Sequence, residues 1–467
     1  MKIKSLLSLT VMIVAAAFAA LNMVPADAKN RVFIGDVDEN SIINIEDATL
    51  IQKYCSEIVD LSPDQLAAAN VIGDSQVFVS CATAVQQYLA DNYLFPNIGK
   101  YKSKYNLPDY WEDYLEQKIS QINELKQSLG NDAFSFVSIT DIHESQNLGK
   151  NSGKIAKEIM DNCDIKYTLI LGDVVTRGCL NSSEEMEESF VKAEDILVPI
   201  RDKALQIKGN HDGAWGYDPP NTYQYQFSNE LIYKYIYSNV KKINGTHFSP
   251  ENEAYYIDDT ENKVRYIMLN SHHNDELKSS DGSAVHNPFR VFRFGQKQID
   301  WLALTALDVP EGYSIIVASH VPIYVAYLNS WGGENGENVL VRKLLNAYNK
   351  KTHFNYSFDG EFENDNVNID ADFSNAKGKV LATFSGHIHY DSAISCNGIM
   401  TITTRCDARE ENRDGNQYTT KDDYLYNERV KGTVTEQSFD VITVSPSQNK
   451  VYCTKIGAGE DRVISIN

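Results

Sequence analysis

A chain of 467 residues has room for two or three domains and a sizeable core. Its 64 acidic and 43 basic side chains leave a formal charge of −21. That balance argues against binding driven by nucleic-acid phosphates and against simple adsorption to anionic membranes, so its plain meaning is solubility.

At the N-terminus, Lys2 and Lys4 precede an apolar stretch from Leu6 to Leu21, and Ala26-Asp27-Ala28 follows as a small-residue cleavage motif. This is the pattern of a secretory signal peptide, residues 1–28. The competing reading, an uncleaved anchor, wants a longer apolar run. No later run could cross a bilayer, so the expected product is secreted, and a cell-surface complex is a further destination to consider. All seven cysteines lie beyond the cleavage motif. An odd count leaves at least one unpaired, and a chain with this much core needs no disulfide framework.

Residues 29–95 carry two loop–helix repeats. In the first, Asp36, Asp38, Asn40, Asn44 and Asp47 put oxygen side chains at loop positions one, three, five, nine and twelve, the spacing of an EF-hand calcium loop. Ala48, Leu50, Ile51 and Tyr54 then mark an amphipathic helix. The second repeat starts at Asn70 and keeps Asp74, but has Ile72 at its third position and Cys81 at its twelfth. Both helices share Ala-Thr and Gln-x-Tyr, which points to a duplication. The pair resembles a type I dockerin, the module that plugs enzymes into a cohesin-bearing scaffold. That resemblance implies calcium in the module and a cohesin partner. Ser41 departs from it, standing where Gly usually makes the sharp turn. Calcium is therefore expected on Asp36, Asp38, Asn40 and Asp47, and weakly or not at all on the second loop. A degenerate module without a partner is the alternative. Cys55 and Cys81 either staple the module or stay as thiols.

Residues 96–107, with Pro96, Gly99 and no apolar periodicity, read as a linker. Pro108 then suits a first helical turn. Trp111, Leu115, Ile119, Ile122, Leu125 and Leu129 fall at helical spacing, and Gly130 ends the pattern. That stripe predicts core packing and no chemistry.

From residue 134 onward, apolar runs end repeatedly in candidate metal ligands. Phe134 to Ile139 leads to Asp141 and His143, and Tyr167 to Leu171 leads to Asp173. Ala204 to Ile207 precedes Gly209-Asn210-His211-Asp212, Tyr313 to Ala318 precedes His320, and Val380 to Phe384 precedes Gly386-His387-Ile388-His389. A sixth run, Val264 to Asn270, meets Ser271-His272-His273. In α/β sheets ligand sites form beyond the carboxyl ends of strands, so these five deliveries of Asp, His and Asn point to one metal site. Seven ligands are too many for one small cation and suit two that share a carboxylate. Oxygen and imidazole donors without thiolate fit Mn, Fe or Zn, divalent or trivalent, and do not distinguish them.

The ordered series D-x-H, G-D, G-N-H-D, H, G-H-x-H resembles the calcineurin-like metallophosphoesterase family, over roughly Trp111 to the C-terminus. The resemblance implies one metal on Asp141, His143 and His389, a second on Asn210, His320 and His387, and Asp173 bridging. It assigns His211 to the leaving oxygen, with Asp212 orienting the ring. It also implies attack by a metal-bound hydroxide with no side-chain nucleophile. Two divalent metals against two aspartates leave roughly +2, which suits an anionic substrate.

Arg177 and His272 are candidate substrate contacts, although a surface ion pair and a loop cap explain them as well. His273 reads as a loop residue and His286 as solvated. Tyr324, Tyr327 and Trp331 are candidates for a substrate wall, and the acidic tract from Asp359 to Asp372 reads as a solvated loop. Later runs, Gly398 to Thr404, Phe439 to Val444 and Val451 to Ile456, read as strands of a second sheet. The expected fold class for residues 108–467 is α/β, two mixed β-sheets packed face to face with helices outside, preceded by the small α-helical EF-hand-like module.

The expected function is a secreted dinuclear-metal phosphoesterase, acting on phosphodiesters ahead of monoesters. Its dockerin-like module would tether it to a cohesin scaffold of a polysaccharide-degrading, cellulosome-type complex. The rivals are a scaffold-bound structural protein with a dead site and a metal-dependent hydrolase of a non-phosphate ester. The complete ligand set argues against the dead site.

Overall fold

The computed structural model describes residues 32–90, 94–176, 183–215, 225–280, 282–286, 288, 291–324, 336–359, 366–408 and 429–466. The expected signal peptide, Arg177, Tyr327 and Trp331 lie outside the described residues. The chain divides into two compact units, residues 1–124 with 158–164, and residues 125–157 with 165–467. Among the described residues no helix is long and apolar enough to cross a membrane.

In the first unit, helices Ile45–Cys55, Pro63–Ala69 and Val79–Leu89 surround a core that includes Val37, Ile43, Ala48, Ile51, Ala82 and Val85. Asn44 caps the first helix, its side chain accepting from the Glu46 N–H at 2.6 Å, while the Asp47 carboxylate accepts from the Asn44 N–H at 2.8 Å. Such a cap typically contributes about 1 kcal/mol. The helix Val79–Leu89 has Phe78 at the capping place and no side-chain cap. Within the stretch expected as a linker, Tyr101–Lys102 pairs antiparallel with Val32–Phe33. The helix expected after Pro108 is present as a short 3-10 turn, Asp109–Trp111, followed by Glu112–Leu129. Cys55 and Cys81 are free thiols, so the staple is not formed.

The second unit contains two mixed sheets. One has six strands in the order Arg462–Ser465, Lys450–Gly457, Ser438–Ser445, Phe134–Ile139, Thr168–Ile170, Ala204–Gln206. The other has seven, in the order Ser392–Cys396, Ile399–Thr403, Lys379–Ser385, Ser314–Ser319, Val264–Leu269, Tyr255–Asp259, Thr246–Phe248. Phe136 joins them. It is fully buried, and its ring meets Tyr266 and Phe384 of the facing sheet edge-on at centroid distances of 5.6 and 5.1 Å.

Two expectations need correction. The late strands do not share one sheet: Ile399–Thr403 pairs parallel to Lys379–Ser385, whereas Ser438–Ser445 pairs antiparallel to Phe134–Ile139. Period-two alternation tells which face of a strand is buried, not which neighbour it pairs with. The acidic tract is not simply a loop either. Its end, Val367–Asp372, pairs with His353–Phe358, burying Val367, Ile369 and Ala371 while Asn368, Asp370 and Asp372 face outward. Charge on the outer face masked the alternation.

Candidate metal centre

The strands Phe134–Ile139, Thr168–Ile170 and Ala204–Gln206 are mutually parallel, as are Val264–Leu269, Ser314–Ser319 and Lys379–Ser385. Parallel pairing sends the carboxyl ends of each set to one edge. The loops leaving those ends carry all seven ligand candidates. Asp141, His143 and His389 offer ligand atoms within 4.8 Å of one another, and so do Asp173, His320 and His387. Asp173 also groups with His143 and His211. Between the second set of rings lies Asn210, its Oδ1 3.0 Å from His320 Nε2 and 2.8 Å from His387 Nδ1.

The local backbone is shaped for this convergence. Asp141, His143, Asp173, His387 and His389 all have φ between 42° and 69°. Left-handed backbone at a non-glycine residue costs about 1–3 kcal/mol and persists only where the surroundings enforce it. Gly386 shows how tight the approach is. A Cβ there would sit 1.8 Å from Thr140 Oγ1 and 2.6 Å from Asp141 Oδ2.

Hydrogen bonds fix the imidazoles from behind. His143 Nδ1 lies 3.0 Å from the Val175 carbonyl and His320 Nδ1 lies 2.6 Å from the Leu171 carbonyl. A carbonyl on one ring nitrogen sets the tautomer and leaves the other with a lone pair. That other nitrogen of His143, 3.9 Å from Asp141 Oδ1, is buried without a hydrogen-bond partner. An orphaned buried ring nitrogen together with carboxylate, amide and imidazole donors fits a pair of borderline cations.

The electrostatics agree. Burial opposes ionisation of Asp141, but His389, with Nε2 at 3.1 Å, and His320 outweigh it and hold the carboxyl below its usual range. Asp173 is likewise held well below its usual range, by His320 and His211 against the effect of burial. Burial pushes His211 and His387 down to about 3, so both rings are neutral at pH 7.

Asp212 was expected to orient the His211 ring, and its geometry corrects that role. Oδ2 accepts from the Asp173 and Gly209 N–H groups, both at 2.8 Å. Oδ1 accepts from Val174 and Val175 at 2.9 and 3.2 Å. With both oxygens committed to backbone, Asp212 holds two strand-end loops together. Burial raises its pKa to about 7. His211 instead touches Asp173, which accepts from the His211 N–H at 2.7 Å and lies 3.9 Å from the ring Nε2.

His272 is buried beside the second group, its ring centroid 5.7 Å from that of His320. Its Nε2 has no hydrogen-bond partner. His286 is buried rather than solvated, 3.1 Å from Asp275, and Tyr324 is too buried to serve as a wall.

Sequence reasoning missed three residues here. Phe292 packs edge-on against both His272 and His387, and no motif marks it. Lys208 is buried with Nζ 2.9 Å from the His272 carbonyl. A lone charge between an apolar run and a glycine was its available signal. Asp391, two residues past His389, is gripped by Lys455 at 2.9 Å and Arg462 at 3.2 Å, which anchors the His389 loop.

A two-sheet sandwich with this donor set at its strand ends defines a metal-dependent phosphoester hydrolase. The calcineurin-like phosphoesterase family matches residues 134–391, and the chain belongs to that family. No curated protein matches the sequence. Solved structures with remote likeness include a candidate 5′-nucleotidase of Staphylococcus aureus bound to α-ketoglutarate, at 11% identity and TM-score 0.35, over 72% of this chain. The match spans 55% of that protein's length. A phosphopantetheinyl hydrolase of Mycobacterium tuberculosis is similar at 10% identity and TM-score 0.29, over 59% of this chain and 91% of its own. GAP50 of Plasmodium, the anchor in the inner membrane complex, is similar at 13% and 0.32, over 72% and 89%.

Burial alone would lower the pKa of His320, but the Asp173 carboxylate at 3.1 Å lifts it from 6.5 to about 9. A histidine raised in the folded state contributes stability that is complete below its unfolded pKa and is lost as pH rises through the folded one. The chelated, metal-free protein should therefore lose unfolding free energy between pH 6.5 and about 9. Urea titrations across that window should show the loss in the wild type and not in His320→Asn. An unchanged slope in the variant would place the titration elsewhere.

Proposed function

We propose that the second unit is a dinuclear-metal phosphoesterase. The observation that carries this reading is Asp173, which shares one ligand group with His143 and another with His320 and His387. Asp141, His143 and His389 would hold one cation, Asn210, His320 and His387 the other, and Asp173 both. Cations held there would supply positive charge to phosphate oxygens and acidify the attacking water.

The remaining work falls to side chains around that pair. A neutral His211 would donate a hydrogen bond to the oxygen on which charge develops, and a bound phosphate anion would raise its pKa again by Coulombic attraction. His272 Nε2 and the Arg177 guanidinium are the proposed contacts to non-bridging oxygens. Preference for diesters over monoesters rests on similarity to secreted family members. Paired comparison of chromogenic phosphate diesters, phosphate monoesters and acetyl esters in added Mn tests it, and acetyl-ester turnover alone would favour the non-phosphate reading.

The N-terminal reading is secretion through residues 1–28 and attachment to a cohesin-bearing scaffold through the dockerin-like module. Asp36, Asp38 and Asp47 offer oxygens within 4.8 Å of one another, which supports a calcium loop. Asn40 adds to the shell by spacing, although its Oδ1 now accepts from the Ile42 N–H at 2.8 Å. Ser41 has φ 69° at the sharp turn, the conformation for which Gly is usual. In the second loop, Cys81 is buried in the core at the twelfth position.

Three measurements test these assignments. Asp173→Asn should abolish phosphoesterase activity and lower bound metal, because a bridging carboxylate feels both cations. Full metal content with normal turnover would sink the bridging role.

His211→Ala should retain metal and slow esters of poor leaving groups most, since an activated leaving group needs little help. An equal loss across leaving groups would give His211 another role.

Calcium titration of the full chain by calorimetry, with the catalytic metals already loaded, should show one calcium site. Asp36→Ala with Asp47→Ala should remove it and leave phosphoesterase activity unchanged. Two comparable sites, or none, would overturn the loop assignment.

A further inference from the structure

The loop after Val264–Leu269 presents adjacent histidines to different surroundings. His272 lies beside His320, whereas His273 places Nδ1 2.7 Å from Glu253 Oε2 and 3.9 Å from Glu251 Oε2. The three ligand atoms of Glu251, Glu253 and His273 lie within 4.8 Å of one another. None of these three belongs to the family pattern, and the phosphoesterase chemistry uses none of them.

A second observation points into the same place. Glu251 and Glu253 line a cavity of about 190 Å³ together with Lys208, Tyr237 and Asn270. Tyr237 is 1% exposed, and its hydroxyl makes no hydrogen bond of normal geometry. A buried phenol normally finds a partner, so an unsatisfied one lining a polar cavity marks a place for a ligand. The cavity also has room for the waters that would complete a coordination shell.

The ligands are held ready. Gly295 leaves space for the His273 ring, since a Cβ there would lie 2.8 Å from His273 Cδ2. Asn270 Nδ2 donates to Glu253 Oε2 at 3.1 Å and its Oδ1 accepts from the His272 N–H at 2.9 Å, so one side chain fixes both loops. Besides the His273 contact, Glu251 pairs with Lys297 at 2.9 Å, and that lysine side chain is 67% exposed.

We propose that Glu251, Glu253 and His273 form a further divalent-cation site, separate from the Asp173 cluster, with the Tyr237 hydroxyl facing its water shell. Two carboxylates and one imidazole suit Mn(II) or Zn(II) rather than a soft cation. Cation binding there would tie Tyr255–Asp259 and its preceding loop to the loop that carries His272. The site thus has a structural role beside the catalytic one.

The full chain, stripped with EDTA and dialysed against Mn(II), tests this by metal analysis. Glu253→Gln with His273→Ala should bind one Mn fewer per chain than the wild type. The same loss should appear when the pair is introduced into Asp173→Asn, so failure of the catalytic reading would not hide it. Glu251→Gln keeps the His273–Glu253 hydrogen bond and the fold, and should weaken Mn binding at this site roughly ten-fold. Equal Mn content and affinity in the wild type and in Glu251→Gln would overturn the proposal, as would an undiminished content in the paired variant.

Discussion

The buried carboxylate of Asp212 is the interaction on which the rest of the centre depends. It gathers the N–H groups of Asp173, Val174, Val175 and Gly209, from loops that follow two different strands. Four donors around one buried carboxyl group are a strong constraint, because each would otherwise be an unsatisfied polar group in the interior. Asp173 and Asn210 are thereby fixed relative to one another before any cation arrives. The strained backbone of Asp173, at φ 54°, is affordable only with such a clamp.

The same arrangement explains the opposing titrations packed into one small volume. Asp141 and Asp173 are kept ionised by imidazoles against the effect of burial, while burial and the neighbouring Asp173 carboxylate push Asp212 the other way. Three carboxyl groups at neighbouring positions thus have different assignments, and location among the rings decides which. A cluster of this kind is unstable by itself in low dielectric. Positive charge relieves it, which is the physical sense of a metal centre here.

The two sheets supply the stiffness. Phe136 between Tyr266 and Phe384 locks their faces together, and Lys455 with Arg462 ties Asp391 and Asp440 across from the six-stranded sheet to the loop that follows His389. Ligands on loops can be placed this closely because the strands beneath them cannot slide. The first unit follows a different logic, a few small helices on a small core around an acidic loop, with Asp47 serving as both helix cap and potential ligand.

Most of the centre was legible in the sequence. Parallel strands that end in ligands leave a local signature, an apolar run followed within a few residues by Asp, His or Asn, and all seven candidates come together as that signature implied. The helix after Pro108 and its stop before Gly130 were equally local. What the sequence left open was decided by contacts between distant segments. The role of Asp212 turned on where four backbone N–H groups converge, which residue spacing does not encode. Lys208, Phe292 and Asp391 matter through neighbours more than 60 residues away. Strand partners for Ile399–Thr403 and Ser438–Ser445, and the pairing of the acidic Val367–Asp372, were set by which edge was free, because alternation carries facing but not neighbourhood. Local patterns record what each segment must bury or display, and only the packed sheets determine what it meets.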